Sequence, residues 1–247
     1  MLDRSTKKNV QRRPGTLVTT IMHSIGSDIL RGTYPEGSIL PPEAKLAELL
    51  GVGKGTIREA VKSLTSKGLL EVSRGRGTTV LAEKHWVLID PDVIQWAGED
   101  VRFLSQLGEF RMAIEPAAAE LAASKITRTE GAFLLASLEE MEGAAEGTES
   151  AINADVTFHR LILEATHNAF FISLRHMLLP LLRKSFSVSI VRPHAYRDGI
   201  VLHQRLAEAI CGHAGKKARD ASEVLVAQHR RDVTKQLAKR VPMQGRR

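Results

Sequence analysis

The sequence has little of what a secreted or membrane protein needs. It has one cysteine, Cys211, in 247 residues. A lone cysteine cannot form an internal disulfide, which excludes a scaffold held by covalent staples. No apolar run approaches the ~18 residues that span a bilayer, and the opening residues MLDRSTKKNVQRRPG lack the apolar centre of an export signal. These absences predict a cytoplasmic protein with no membrane partner. From Arg102 onward β-branched alternation is almost missing, which excludes extended sheet from the larger part of the chain.

What is present is ordinary globular composition, 43% hydrophobic and 26% charged, long enough for one large or two modest domains. The formal net charge is +7, and it is unevenly placed. Met1–Lys84 holds 14 Lys and Arg against 8 Asp and Glu, net +6, whereas the remainder holds 21 against 20, net +1. A small basic head on a neutral body is the distribution expected of a polyanion-binding module joined to a module with another task.

Local patterns give the organisation. Residues 1–15 are basic with little to bury and read as a disordered arm ended by Pro14 and Gly15. Leu17, Ile21, Ile25 and Ile29 recur at helical spacing from Thr16 to Arg31, with Gly32 as the C-terminal cap. After a turn at Tyr34, Pro35 and Gly37, Pro42 and Glu43 open a short helix stopped by Gly51. A further helix runs from Lys54 to Lys67, with Ile57, Val61 and Leu64 on one face and Gly68 at its end. Two helices joined by GlyValGly form a helix-turn-helix candidate. The next residues read as a β-hairpin with a basic, glycine-rich tip, ArgGlyArgGly, which makes residues 16–82 a winged helix. Residues 83–100, with Trp86 and Trp96, read as an ordered linker packed on the body. Residues 101–240 read as an all-helical bundle of about six helices, with breaks near Lys125–Thr129, Glu146–Ser150, Thr166–Ala169, Val191–Tyr196 and Gly212–Gly215. Residues 241–247 are a tail. The fold class is mainly α, an N-terminal winged helix-turn-helix with a small hairpin wing followed by an all-α bundle.

In a helix-turn-helix the second helix enters the major groove. With Ile57, Val61 and Leu64 turned inward, Gly55, Arg58, Glu59 and Lys62 point outward, and Lys54 and Thr56 occupy the first turn. The fork of Arg58 suits guanine O6 and N7. Lys54, Lys62, Arg74 and Arg76 suit phosphates, which give affinity and salt dependence rather than sequence choice. Gly75 and Gly77 allow the wing backbone a close approach to the duplex.

The stretch LPPEAKLAELLGVGKGTIREAVKSL, continuing to GLLEVSRGRGTTV, resembles the winged-helix domain of GntR-family transcriptional regulators. The resemblance implies that Lys54, Thr56, Arg58 and Gly75 touch DNA. The sequence departs from the family at Ala44, where an arginine is usual, and at Gly53 and Gly55, where Ser or Thr is common. Those positions bear on the operator sequence rather than on DNA binding itself.

In the body, Asp155 and His159 stand four residues apart and project from one helix face, with Phe158 and Ile162 on the inward stripe. His203 shares a stripe with Leu206 and Ile210, and His229 with Val226 and Val233. Three inward histidines and a carboxylate suit a divalent metal, zinc or nickel. A lone inward histidine is more often a hydrogen-bonded core residue, and it is the four together that point to a metal. Arg111, on an otherwise apolar stripe, either pairs with a carboxylate such as Glu115 or faces a cavity.

The segment EFRMAIEPAAAELAA resembles the start of the FCD effector domain of the FadR branch, which excludes relatives with a mixed α/β, lyase-like sensor. The resemblance implies a metal held by Asp155, His159, His203 and His229. The spacing to His229 is about one helical turn longer than usual. Either an insertion around Gly212–Lys217 restores the geometry, or three protein ligands and water complete the site. His167, His176, His194 and His213 fall outside the pattern, as surface or core residues. The resemblance also implies that Arg111 lines the effector pocket and holds an acid's carboxylate in bidentate fashion. The segment HWVLIDPDVIQW further resembles the galactonate-operon repressor subgroup, pointing to a sugar acid.

The expected function is therefore a ligand-responsive repressor, a homodimer on a palindromic operator in double-stranded DNA, released by a small organic acid. Two other classes stay open on sequence. One is a metal-dependent hydrolase with an accessory winged helix, for which no general base stands beside the ligands. The other is an effector-free architectural DNA binder, against which the inward Asp and His cluster argues.

Overall fold

The structure is a computed structural model describing residues 14–97, 100–189 and 195–240. The chain divides into two compact units, Met1–Ala97 and Gly98–Arg247, each with its own apolar core. The sequence readings for residues 1–13, His194 and the tail 241–247 lie outside the described residues.

In the N-terminal unit, helix α1 (Pro14–Leu30) buries Ile21, Ile25 and Ile29, the stripe read from the sequence. It starts at Pro14, so Pro14 and Gly15 are its first turn rather than the end of an arm; proline is suited to that position because its missing N–H would be unpaired there. Helix α2 (Glu43–Leu50) is stopped by Gly51 in the left-handed conformation, φ 65°, whose N–H reaches the carbonyls of Ala47 and Glu48. Helix α3 (Lys54–Ser66) buries Ile57, Ala60, Val61 and Leu64 against α1 and α2. Strands β1 (Leu70–Ser73) and β2 (Gly77–Val80) pair antiparallel in the register Leu70↔Val80 to Ser73↔Gly77. The turn at Tyr34–Gly37 brings the chain back along the open edge of β2. There Leu40 donates its N–H to the Thr78 carbonyl at 2.8 Å, a pairing that helical and hairpin periodicity did not announce.

The segment carrying the two tryptophans packs on this N-terminal unit, which corrects the expectation that it packs on the helical body. It contains a 3₁₀ turn at Glu83–His85 and helix α4 (Pro91–Ala97). Trp96 is 5% exposed and lies over Gly26 of α1, where a Cβ would stand 2.5 Å from the ring. The Trp96 indole N–H donates to His23 Nδ1 at 2.6 Å. Lys67, next after α3, reaches Asp90 at 2.7 Å and Asp92 at 2.8 Å. Burial works against its charge, but the two carboxylates outweigh it and hold the ammonium above the usual lysine range. Gly68, φ 73°, permits the carbonyl of His85 to approach where any Cβ would collide.

The C-terminal unit contains six helices among the described residues: α5 (Val101–Lys125), α6 (Arg128–Gly143), α7 (Glu149–Ala165), α8 (Ala169–Ser189), α9 (Ala195–Cys211) and α10 (Gly215–Arg240). Among the described residues the breaks fall close to where the sequence placed them, and local chemistry makes them; most of the expected break at Val191–Tyr196 lies outside the described residues. Asp100 caps α5 by accepting from the Phe103 N–H at 2.7 Å, and Thr127 forms a reciprocal capping box with Glu130. Helix α7 packs on α5, α6 and α8, and α10 runs along α5 and α9. Ala118, Ala119, Ala122 and Ala123 give α5 a small-residue face in the core, which allows close helix approach. His167 and His213 take left-handed backbone conformations just beyond α7 and α9, where they bond to Glu130 and to the Ala123 carbonyl; His176 is exposed. No helix among the described residues is long and apolar enough to cross a membrane.

Candidate functional site

The winged helix presents a basic face. Lys54, Gly55, Arg58, Glu59 and Lys62 are exposed along α3, and Arg74, Gly75 and Arg76 are exposed at the wing tip; Thr56 is half-buried. The fork of Arg58 is engaged by Glu43 of α2, with Nε at 3.3 Å and Nη2 at 3.2 Å from the same carboxylate oxygen. Glu43 therefore orients the residue read as the base reader, and the sequence reading did not weigh it.

The second site is a cavity in the C-terminal unit lined by Arg111, Asp155, His159, Tyr196, His203 and His229, among others. Asp155 and His159 come from α7, one turn apart, and His203 comes from α9. One ligand atom from each of these three lies within 4.8 Å of the other two. His203 Nδ1 donates to the Gly199 carbonyl at 2.8 Å, so in a neutral ring Nε2 carries the lone pair, and it faces Asp155 Oδ1 at 3.1 Å. His159 Nδ1 faces Glu115 Oε2 at 3.3 Å, which favours the ring proton there. His159 Nε2 is buried with no hydrogen-bond partner, 3.4 Å from Asp155 Oδ1.

Two ring lone pairs and a carboxylate oxygen thus converge with no donor between them. Such an arrangement calls for a cation at its centre, and the N,N,O donor set fits a divalent transition metal. Burial opposes the charge of Asp155, but whenever the His203 and His159 rings carry a proton toward it in place of a cation they outweigh burial and hold its carboxyl well below the usual carboxylate range.

His229 stands apart from this cluster. Its Nε2 is 2.6 Å from Ser185 Oγ of α8. Desolvation in the cavity wall, with Arg111 as the next cause, holds His229 well below the usual histidine range.

Arg111 satisfies both alternatives the sequence left open. It lines the cavity and it pairs with Glu115, Nε to Oε1 at 2.5 Å, while its Nη1 is buried without a partner. Its guanidinium lies over the Phe186 ring at 5.2 Å. The sequence reading missed Tyr196, Ser185, Gln228 and Asp232. Tyr196 donates to the Met141 carbonyl at 2.7 Å, and burial with the Asp155 charge pushes its phenol up to about 12. Its position in an expected helix break hid it. Gln228 donates to Asp232 at 3.1 Å; Asp232, three residues beyond His229 on the same helix face, was the one legible signal. Nothing in the spacing points to Ser185.

Comparison with known proteins bears on both sites. Residues 17–80 match the model of the gntR family of bacterial regulatory proteins, and residues 106–228 match the FCD domain. The chain is 32% identical over 211 residues to the galactonate operon transcriptional repressor of Escherichia coli, covering 84% of this chain and 92% of that protein. It is 36% identical over 151 residues to the Uxu operon transcriptional regulator of the same species, covering 59% of this chain and 57% of that protein. Among solved structures, Lar, a controller of the Listeria monocytogenes agr system, is 18% identical with a TM-score of 0.64 over 89% of this chain and 97% of that one. That likeness shows the fold. The matched families and relatives are regulators of transcription, not enzymes. With a DNA-binding winged helix and an effector-binding FCD domain, this chain belongs to the GntR family of bacterial regulatory proteins.

Proposed function

We propose that the chain represses a sugar-acid catabolic operon and leaves its operator when the acid binds. The acid is galactonate or a near relative. The protein acts as a homodimer on a palindromic operator, since two copies of one winged helix read two half-sites related by a twofold axis. Arg58 reads bases, and Lys54, Thr56, Lys62, Arg74, Gly75 and Arg76 hold the backbone.

The observation that carries the sensor reading is the buried convergence of His159 Nε2, His203 Nε2 and Asp155 Oδ1 in the cavity that Arg111 lines. These three residues would hold a divalent ion, zinc or nickel, with His229 in the wall beside them rather than in the donor set. A bound ion of this kind supplies a Lewis-acidic position for the carboxylate and adjacent hydroxyl of a sugar acid. Arg111 orients the acid through its unpartnered Nη1. Tyr196 and His229 close the remaining wall. The acid must favour the DNA-free form, because a ligand that binds both forms equally shifts nothing. The similarity to the galactonate operon repressor supports the substrate class.

The test combines three measurements on purified protein. Elemental analysis of chelator-free protein should give about one transition metal per chain, lost in His159→Ala and kept in His229→Gln. Galactonate should raise the melting temperature and release the operator in a gel-shift titration, whereas neutral galactose should do neither. Equal release by the sugar and the acid rejects the reading.

A further inference from the structure

Glu115 of α5 is a further carboxylate in the sensor, and it serves two functional groups. Arg111 donates to both of its oxygens, Nε to Oε1 at 2.5 Å and Nη2 to Oε2 at 3.4 Å, and Oε2 also faces His159 Nδ1 at 3.3 Å. Its side chain is 6% exposed and that of Arg111 is 1% exposed, so no solvent screens either contact.

Each contact has a consequence. A carboxylate 3.3 Å from Nδ1 favours the ring proton of His159 there and leaves Nε2 open, the arrangement in which imidazoles ordinarily ligate metals. At the other end Arg111 is not a lone cation. Its charge is already balanced by Glu115, and a guanidinium in a desolvated pair attracts a second carboxylate far less than a free one does. Asp155 and Asp232 line the cavity beside Arg111, whose charge Glu115 already balances, so an incoming acid meets a wall whose carboxylates outnumber its arginine. A divalent ion beside Asp155 reverses that balance.

Resting on the metal-and-acid reading above, we propose that Glu115 is a positioning residue acting through two residues of the cavity wall, His159 and Arg111. It holds His159 ready for the metal and neutralises Arg111, so that an organic acid is retained only when the metal is present. Metal loading then decides whether the sensor can respond at all.

Zinc and galactonate are the probes, applied to the full chain. Zinc affinity is measured by competition with a chromophoric chelator, and galactonate binding by calorimetry with zinc or with EDTA. In the natural protein galactonate binds roughly tenfold or more tightly with zinc than without it. Glu115→Gln preserves size and removes the charge. Zinc affinity then falls by about 10–100-fold, while galactonate binding in EDTA strengthens by roughly tenfold because Arg111 has charge to offer. Opposite signs separate this role from structural damage, which weakens both.

If Glu115→Gln does not fold, the double variant Arg111→Gln, Glu115→Gln leaves no buried charge stranded. It should lose about tenfold in zinc affinity and fail to bind galactonate in either condition. Zinc affinity within about threefold of the natural protein in a folded variant, or EDTA-state acid binding no stronger in Glu115→Gln, overturns the role of Glu115. A natural protein that holds no zinc overturns the metal reading and this role with it. One that holds zinc but not galactonate rejects the sugar-acid class, and the zinc measurement still decides Glu115.

Discussion

Each candidate site contains an Arg–Glu pair, and these two pairs differ in almost everything except chemistry. Arg58 and Glu43 are 69% and 34% exposed on the DNA-reading face, at 3.2 Å. Arg111 and Glu115 are 1% and 6% exposed in the sensor cavity, at 2.5 Å. An exposed pair contributes about 0–1 kcal/mol, because water and salt compete with it. Its partners can be exchanged at little cost, and that suits the proposed role of Arg58, which would give up Glu43 for a guanine edge or a phosphate. The buried pair cannot be exchanged in this way: removing one partner strands a charge where no water follows. The reading face therefore keeps its charges replaceable, and the sensor keeps its charges fixed.

The largest expected effect separates the two pairs directly. Arg111→Ala should cost about 3–5 kcal/mol of stability, since it leaves Glu115 buried and unpaired. Arg58→Ala should cost no more than about 1 kcal/mol of stability, yet lose about 1–3 kcal/mol of operator binding. Urea denaturation followed by far-UV circular dichroism, with gel shifts on the same preparations, gives both numbers. Similar stability losses in the two variants would remove the distinction.

This contrast also explains what the sequence could and could not reveal. Helix ends, the wing and the outward side of α3 were legible because they depend on residues within a turn or two of each other: Gly51 stops α2, Thr127 and Glu130 cap α6, and Ile57, Val61 and Leu64 set which way Arg58 points. Asp155 and His159 were legible for the same reason, one helical turn apart. The missed features join distant parts of the chain. Trp96 seats on Gly26, Leu40 pairs with Thr78, and Ser185 meets His229. No spacing rule carries such contacts, because tertiary packing chooses them. The FCD resemblance implied His229 as a ligand, yet it belongs to the second class, since its Ser185 partner comes from another helix.

A second measurement tests whether the N-terminal unit is soft throughout or only at its DNA-facing charges. Gly26→Ala places a methyl group 2.5–2.7 Å from three atoms of the Trp96 ring, so the indole must move or the helices must part. Overpacking of this kind costs about 1–3 kcal/mol. Both tryptophans lie in this unit, so their fluorescence reports the change, and a shifted emission maximum should accompany the lowered midpoint. An unchanged midpoint would mean that α4 is not firmly seated on α1, and that the unit is pliable beyond its charged face.

The smallest effect concerns pH and belongs to the sensor. His229 is held well below the usual histidine range by desolvation and by Arg111, so the folded protein resists its protonation while the unfolded chain accepts a proton near pH 6.5. A group depressed in the folded state contributes stability above its unfolded value and loses it as pH falls. Between pH 6.5 and 5.5 the chelated protein should therefore lose stability, with His229 supplying a slope of up to about 1.4 kcal/mol per pH unit. Asp155, depressed as well, adds its loss only further down, below the ordinary aspartate value near pH 4. His229→Gln should flatten the upper part of the curve and leave the lower part in place. Arg58→Ala, on the exposed pair, should not alter either part. An upper slope unchanged in His229→Gln would show that the ring is not held neutral by its surroundings, and the strict division between replaceable surface charge and fixed cavity charge would fail at that residue.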